Sequence, residues 1–148
     1  MNYSAPKTMK FLYITGLCLI VAGLAGCVDR DEANAKLALS CQKGVSFLLD
    51  EYVTIKSVHN TSFTKVADKN DGDVRVTLDV VVDDNHLDID RSFSCNFIEK
   101  TGFLNNSHSA NITQIDMGNG EVYGRKDGKI IGGMNKWLNI TKEAESVL

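Results

Sequence analysis

Val74, Val76, Leu78, Val80 and Val82 stand two apart, with Arg75, Thr77, Asp79 and Val81 between them. Successive side chains of a strand point to opposite faces, so this run buries one side and leaves the other to water. Such a strand belongs in an antiparallel sheet with one covered face. The rest of the chain must supply its neighbours and its cover.

Neighbouring strands are legible on both sides. Residues 53–67 are rich in β-branched and aromatic side chains, with a break expected near His59-Asn60. Lys69-Asn70-Asp71-Gly72-Asp73 carries an Asp-Gly step, a strong hairpin signal. Asp68, Asn70, Gly72 and Asp73 resemble a cation loop only faintly, and a turn explains them with fewer assumptions. Beyond a polar connection at Asp83 to Asp90, Phe93, Cys95 and Phe97 share one face of a strand over residues 91–99. A polar loop at 101–110 leads to a short strand at 111–117. Gly118-Asn119-Gly120 then turns into a strand at 121–126, and Asp127-Gly128 turns into Lys129-Ile130-Ile131.

Cover comes from the two ends. Leu37, Cys41, Val45, Leu48 and Tyr52 recur at steps of three and four, which places them on one helical face. Asp29 or Asp31 suits its N-cap. Gly44 in its middle is either a cost or a point of close packing. Met134, Trp137, Leu138, Thr141 and Leu148 mark a second, C-terminal helix. The expected fold is therefore α+β: an N-terminal helix, an antiparallel sheet of four to six strands and a C-terminal helix, with the helices packed on one sheet face.

The first 28 residues follow another logic. Lys7 and Lys10 precede 18 uncharged residues from Phe11 to Val28, and the small residues Ala25 and Gly26 lie near the end of that run. A charged start, a short apolar middle and a small-residue cut site make the layout of a signal peptide. The alternatives are an uncleaved membrane anchor, for which the run sits at the short end of what spans a bilayer, and an ordinary signal peptide without lipid.

Leu24-Ala25-Gly26-Cys27 resembles the lipobox of bacterial lipoproteins. The resemblance covers residues 1–27 and implies that residues 1–26 are removed. It also implies that Cys27 carries a covalent lipid and that residues 27–148 form a single domain held in the cell envelope. By the same resemblance Val28, rather than an aspartate, points to the periplasmic face of the outer membrane, although Asp29 follows directly. The mature part, a helix and then a strand carrying Phe93-Ser94-Cys95-Asn96-Phe97, is loosely similar to small periplasmic lipoprotein domains and inherits no site from them.

That compartment bears on the other cysteines. Cys18 would leave with the leader, so Cys41 and Cys95 remain as an even pair where disulfides persist. Cys41 is on the helical stripe and Cys95 on the aromatic strand face, so packing helix on sheet would bring them together. Two unpaired buried thiols are the alternative.

Removing the leader leaves 122 of the 148 residues, with 19 acidic side chains against 14 basic ones and a formal charge of −5. This lacks the basic footprint of a nucleic-acid binder and has no attraction to anionic lipid. Attachment to the membrane is thus expected through acyl chains alone.

Candidate chemistry is sparse. Asp83, Asp84, Asp88 and Asp90 surround Asn85 and His86, but a calcium loop needs a glycine at its turn and a distal glutamate, so this reads as a solvated loop and no metal ligand is assigned. His59, His86 and His108 all fall in expected turns, no serine sits in a Gly-x-Ser-x-Gly elbow, and no catalytic residue is assigned. Tyr123 and Trp137 are the aromatics that could form a contact patch, with core packing as their alternative. The expected function is a non-catalytic, membrane-held module that binds an envelope protein, as an assembly accessory, exclusion factor or inhibitor, with no cofactor beyond the lipid on Cys27. The alternative is an envelope hydrolase or a small-ligand or metal-binding lipoprotein using residues 83–90 or 105–108.

Overall fold

A computed structural model describes residues 29–66, 73–102 and 107–148. The leader, Cys27 and Val28 lie outside these residues, as do Asp68, Asn70 and Gly72 of the first hairpin turn and Asn105-Asn106 of the later loop. The elements run α1 (Arg30–Leu48), β1 (Val53–Lys65), β2 (Asp73–Asp84), β3 (Leu87–Thr101), β4 (His108–Asp116), β5 (Val122–Lys126), β6 (Lys129–Ile131) and α2 (Met134–Glu145). All six strands form one antiparallel sheet in chain order. The fold is α+β with a helix at each end of the described chain.

α1 starts where Asp29 accepts a hydrogen bond from the Asp31 backbone N–H at 2.9 Å, and Asp31 and Glu32 complement the positive end of its dipole. Leu37, Cys41 and Val45 are fully buried, as their spacing requires. Tyr52, assigned to the same stripe, lies beyond the helix end and is exposed. Gly44 marks close packing: a Cβ there would meet Ile115 Cδ1 of β4 at 2.8 Å and Ala144 Cβ of α2 at 3.5 Å. In α2 the buried set is Trp137, Ile140 and Ala144, whereas Met134 and Leu138 face water. Of the expected stripe, Trp137 is buried, whereas the core side of the helix is completed by Ile140 and Ala144 in place of Met134 and Leu138, because a 3.6-residue period lets adjacent faces compete for the core.

The alternating run of β2 is buried at Val74, Val76, Leu78, Val80 and Val82. It pairs without a register break with β3, setting Val76 opposite Cys95 and Val74 opposite Phe97; Cys95 in turn faces Ile115 on β4. Directly opposite residues share a face, so these side chains make one apolar layer. Cys41 and Cys95 are disulfide-bonded with a Cα–Cα distance of 5.7 Å, within the usual span, and close a separation of 54 residues. The bond ties α1 to the centre of the sheet.

Two connections differ from expectation. β1 is continuous through His59; the expected break is instead a pair of register shifts, between Ile55 and Ser57 and between Val58 and Asn60. These are β-bulges, which kink a strand without ending it. The Asp83 to Asp90 connection shrinks to the two-residue turn Asn85-His86, with φ of 52° and 68°. Positive φ at both central residues is the type I′ hairpin pattern, and the Asp83 carboxylate secures it by accepting the His86 N–H at 2.8 Å. Asp83 and Asp88 thus sit opposite each other in a ladder.

Two stability outcomes follow from this geometry. Replacing Cys41 and Cys95 by alanine lowers unfolding free energy by about 2–5 kcal/mol, read from the urea midpoint, and reduction of the native protein has the same direction. His86→Gly relieves the left-handed strain that a side chain suffers at φ 68° and raises stability by about 0.5–1 kcal/mol, read from thermal melting.

Candidate functional site

The face of the sheet opposite Cys95 is built from polar rows that cross the strands. Asn60 on β1, Asp79 on β2 and Ser92 on β3 stand in register, and Asn60 Nδ2 donates to Asp79 Oδ2 at 3.1 Å. Hydrogen bonds from Asn60, and then from Ser92, hold the Asp79 carboxyl below its ordinary value of 3.8. A second row runs Thr77, Ser94, Asp116. In a third, Arg75 Nε donates to Asn96 Oδ1 at 2.9 Å, and Asn96 Nδ2 donates to Gln114 Oε1 at 2.8 Å. The amide and guanidinium are locked in a relay, so this floor offers hydroxyls and carboxylates on a fixed frame.

One end of that floor opens into a notch. β3 is 15 residues long, but β4 pairs with it only from Ser94 onward. The chain leaving β4 doubles back, with Met117 N–H donating to Glu121 O at 2.9 Å, Gly118 N–H to Asp116 Oδ1 at 2.8 Å and Glu121 N–H to Asn119 Oδ1 at 2.9 Å. An open concavity of about 660 Å³ results, bounded by residues 89–94 of β3, Arg75 and Thr77 of β2, and residues 116–119. A smaller groove of about 370 Å³ runs between the helices beside the exposed Leu39 and Phe47.

The sequence-assigned acidic group stands beside this notch rather than in a loop. Lys56 Nζ donates to Asp88 Oδ2 at 2.7 Å, Arg91 lies 3.5 Å from Asp84, and Asp90 borders the concavity. The hydrogen bond to Asp88, followed by the attraction of its charge, raises the Lys56 ammonium above its ordinary 10.5. Among the described residues no group of three or more His, Cys, Asp or Glu side chains is placed to hold a metal ion.

The histidines are dispersed, and only His86 lies in a turn. His59 is on β1, at a bulge. His108 opens β4, where its Nε2 lies 2.7 Å from Glu99 Oε1. Glu99 also receives both 3.0 Å contacts from the Arg30 guanidinium. Arg30 at the start of α1, Glu99 on β3 and His108 on β4 form a clamp that closes one end of the sheet. The sequence reading missed it because 69 residues separate Arg30 from Glu99. Trp137 is buried in the core and presents no open surface. Tyr123 is half-buried, with Lys136 Nζ 4.5 Å from its ring centroid and donating to its hydroxyl at 3.3 Å. The ring lies against Gly132 (φ 86°), where any Cβ would clash with it. Of the two aromatics, only Tyr123 is partly open to solvent.

Among the described residues no helix is long and apolar enough to cross a membrane. No protein-family model, curated protein or solved structure matches the chain.

The depressed Asp79 carboxyl stabilises the fold above the unfolded value near 3.8 and ceases to do so as pH falls through its lower folded value. Carbon-detected NMR titration of Asp79 is expected to give a midpoint below 3.8, and Asn60→Ala moves that midpoint upward.

Proposed function

We propose that this chain is a lipid-anchored lipoprotein of the cell envelope, acting as a non-catalytic protein-binding module on the periplasmic face of the outer membrane. Residues 1–26 are the cleaved leader, Cys27 is the lipidated residue and residues 27–148 are the domain. The observation that carries the anchoring is the uncharged run ending in Leu24-Ala25-Gly26-Cys27 behind Lys7 and Lys10. The Cys41–Cys95 bond supports it, since such bonds persist in oxidising compartments.

A binding role is supported by what the domain leaves open. In this reading both helices pack on the sheet face that carries Cys95. The floor of Thr77, Ser92, Ser94 and Asp116 on the other face stays accessible, and Leu87 and Ile89 lie exposed at the end of the Cys95 face of the same strand. Only Cys27 and Asp29 bracket the one residue between lipid and helix cap, so a fully extended tether is about 7 Å long. The domain therefore sits close to the bilayer and meets partners there, as an assembly accessory, exclusion factor or inhibitor. The polar concavity of about 660 Å³ favours a second reading, a small-ligand binder in the same compartment.

Intact-mass analysis of protein extracted from membranes is expected to show a chain beginning at Cys27 and carrying acyl groups, and Cys27→Ser to leave the leader attached. A mature chain without lipid overturns the anchoring. For the role, pull-down of the lipidated protein from envelope extracts is expected to recover a stoichiometric partner. A bound metabolite without such a partner favours the second reading.

A further inference from the structure

We propose that the free edge of β3 from Leu87 to Arg91 is a strand-addition site for an extended segment of a partner protein whose residues alternate between apolar and basic. The inference rests on the protein-binding reading above and deepens it.

β2 and β3 pair in unbroken register from Asp73–Ile98 to Asp84–Leu87, yet β4 joins β3 only from Ser94. Residues 87–91 therefore have a strand on one side and the concavity on the other from Ile89 onward. An unpaired edge presents alternate N–H and C=O groups that template another strand. β1 also forms an edge of the sheet, but two bulges interrupt its spacing between Ile55 and Asn60, and its regular stretch from Asn60 to Lys65 has no carboxylate to recruit a basic strand. The β3 edge carries no such device.

Side chains on this edge specify what it accepts. Leu87 and Ile89 point to one face and are 65% and 37% exposed. Ile89 continues an apolar row with Val82 and Ile55. Asp88 and Asp90 point to the other face. Residues 50–58 and 80–91 together hold six carboxylates and only Lys56 and Arg91 as cations, both already engaged by Asp88 and Asp84. Among the described residues Asp90 forms no ion pair, and it borders the concavity. A strand laid along this edge gains apolar contact beside Leu87 and Ile89, and it neutralises Asp90, and shares Asp88 with Lys56, if its intervening residues are lysine or arginine. A second copy of the same edge would set carboxylates against carboxylates, which disfavours self-pairing.

The test uses the full lipidated protein in zwitterionic nanodiscs and two labelled seven-residue probes, one alternating valine with lysine and one alternating valine with glutamate, with empty nanodiscs as the blank. Fluorescence anisotropy is expected to show the lysine probe binding about tenfold or more tighter than the glutamate probe. Asp90→Lys, which breaks no ion pair, is expected to weaken the lysine probe about fivefold, whereas Leu39→Ser on the helical groove leaves it unchanged. Equal binding of both probes, or an unchanged affinity in Asp90→Lys, overturns the proposal. A photo-crosslinker in place of Ile89 or of Leu39, in intact envelopes, separates this proposal from the reading beneath it. Protein adducts at position 89 that vanish with Asp90→Lys support the edge. Adducts at position 39 alone overturn the edge and leave the binding module standing, and adducts at neither position overturn both.

Discussion

The contact of α1 with the sheet through Cys41 and Cys95 is the constraint on which the other packing decisions rest. Cys95 sits among Val76 and Ile115, so the bond holds the helix over the centre of the apolar layer. With that point held, Gly44 lies against Ile115 and Ala144, where an added Cβ would require the Ile115 side chain to shift. A loop of 54 residues closed in the unfolded chain removes entropy worth about 4 kcal/mol in the chain-entropy model. For a domain of this size that is a sizeable share of typical net stability. The Arg30–Glu99–His108 clamp adds a second attachment at the start of the same helix.

Unequal strand lengths then convert a covered sheet into a surface with a feature. β1 to β3 run 13, 12 and 15 residues, whereas β4 to β6 run 9, 5 and 3. The long three-stranded part therefore extends past the short one, and the step between them is the concavity beside β3. Polar rows through Asn60–Asp79 and Arg75–Asn96–Gln114 cross the strands next to that step.

Much of the architecture was legible along the chain. The Val74–Val82 alternation, the Leu37–Cys41–Val45 stripe and the turn at Asp127-Gly128 each declare their element, because local periodicity and turn chemistry act over a few residues. The acidic stretch at 83–90 misled, since a run of aspartates around Asn85-His86 reads as loop. In the fold, pairing with β1 and β2 overrides that composition and leaves two residues in the turn. His59 and His108 stand in similarly polar stretches that read as turns, and both lie on strands.

By itself the sequence determined a helix, a run of antiparallel strands and a second helix, because their periodicities are local. Periodicity also put Cys41 and Cys95 on the faces that meet. Only the tertiary structure decided where β4 begins to pair along β3, and hence that Leu87 to Arg91 keep a free edge and that Glu99 joins Arg30 to His108. Those outcomes depend on register between segments far apart in the chain. Register is set by the whole apolar layer packing at once, and no short stretch of residues encodes it.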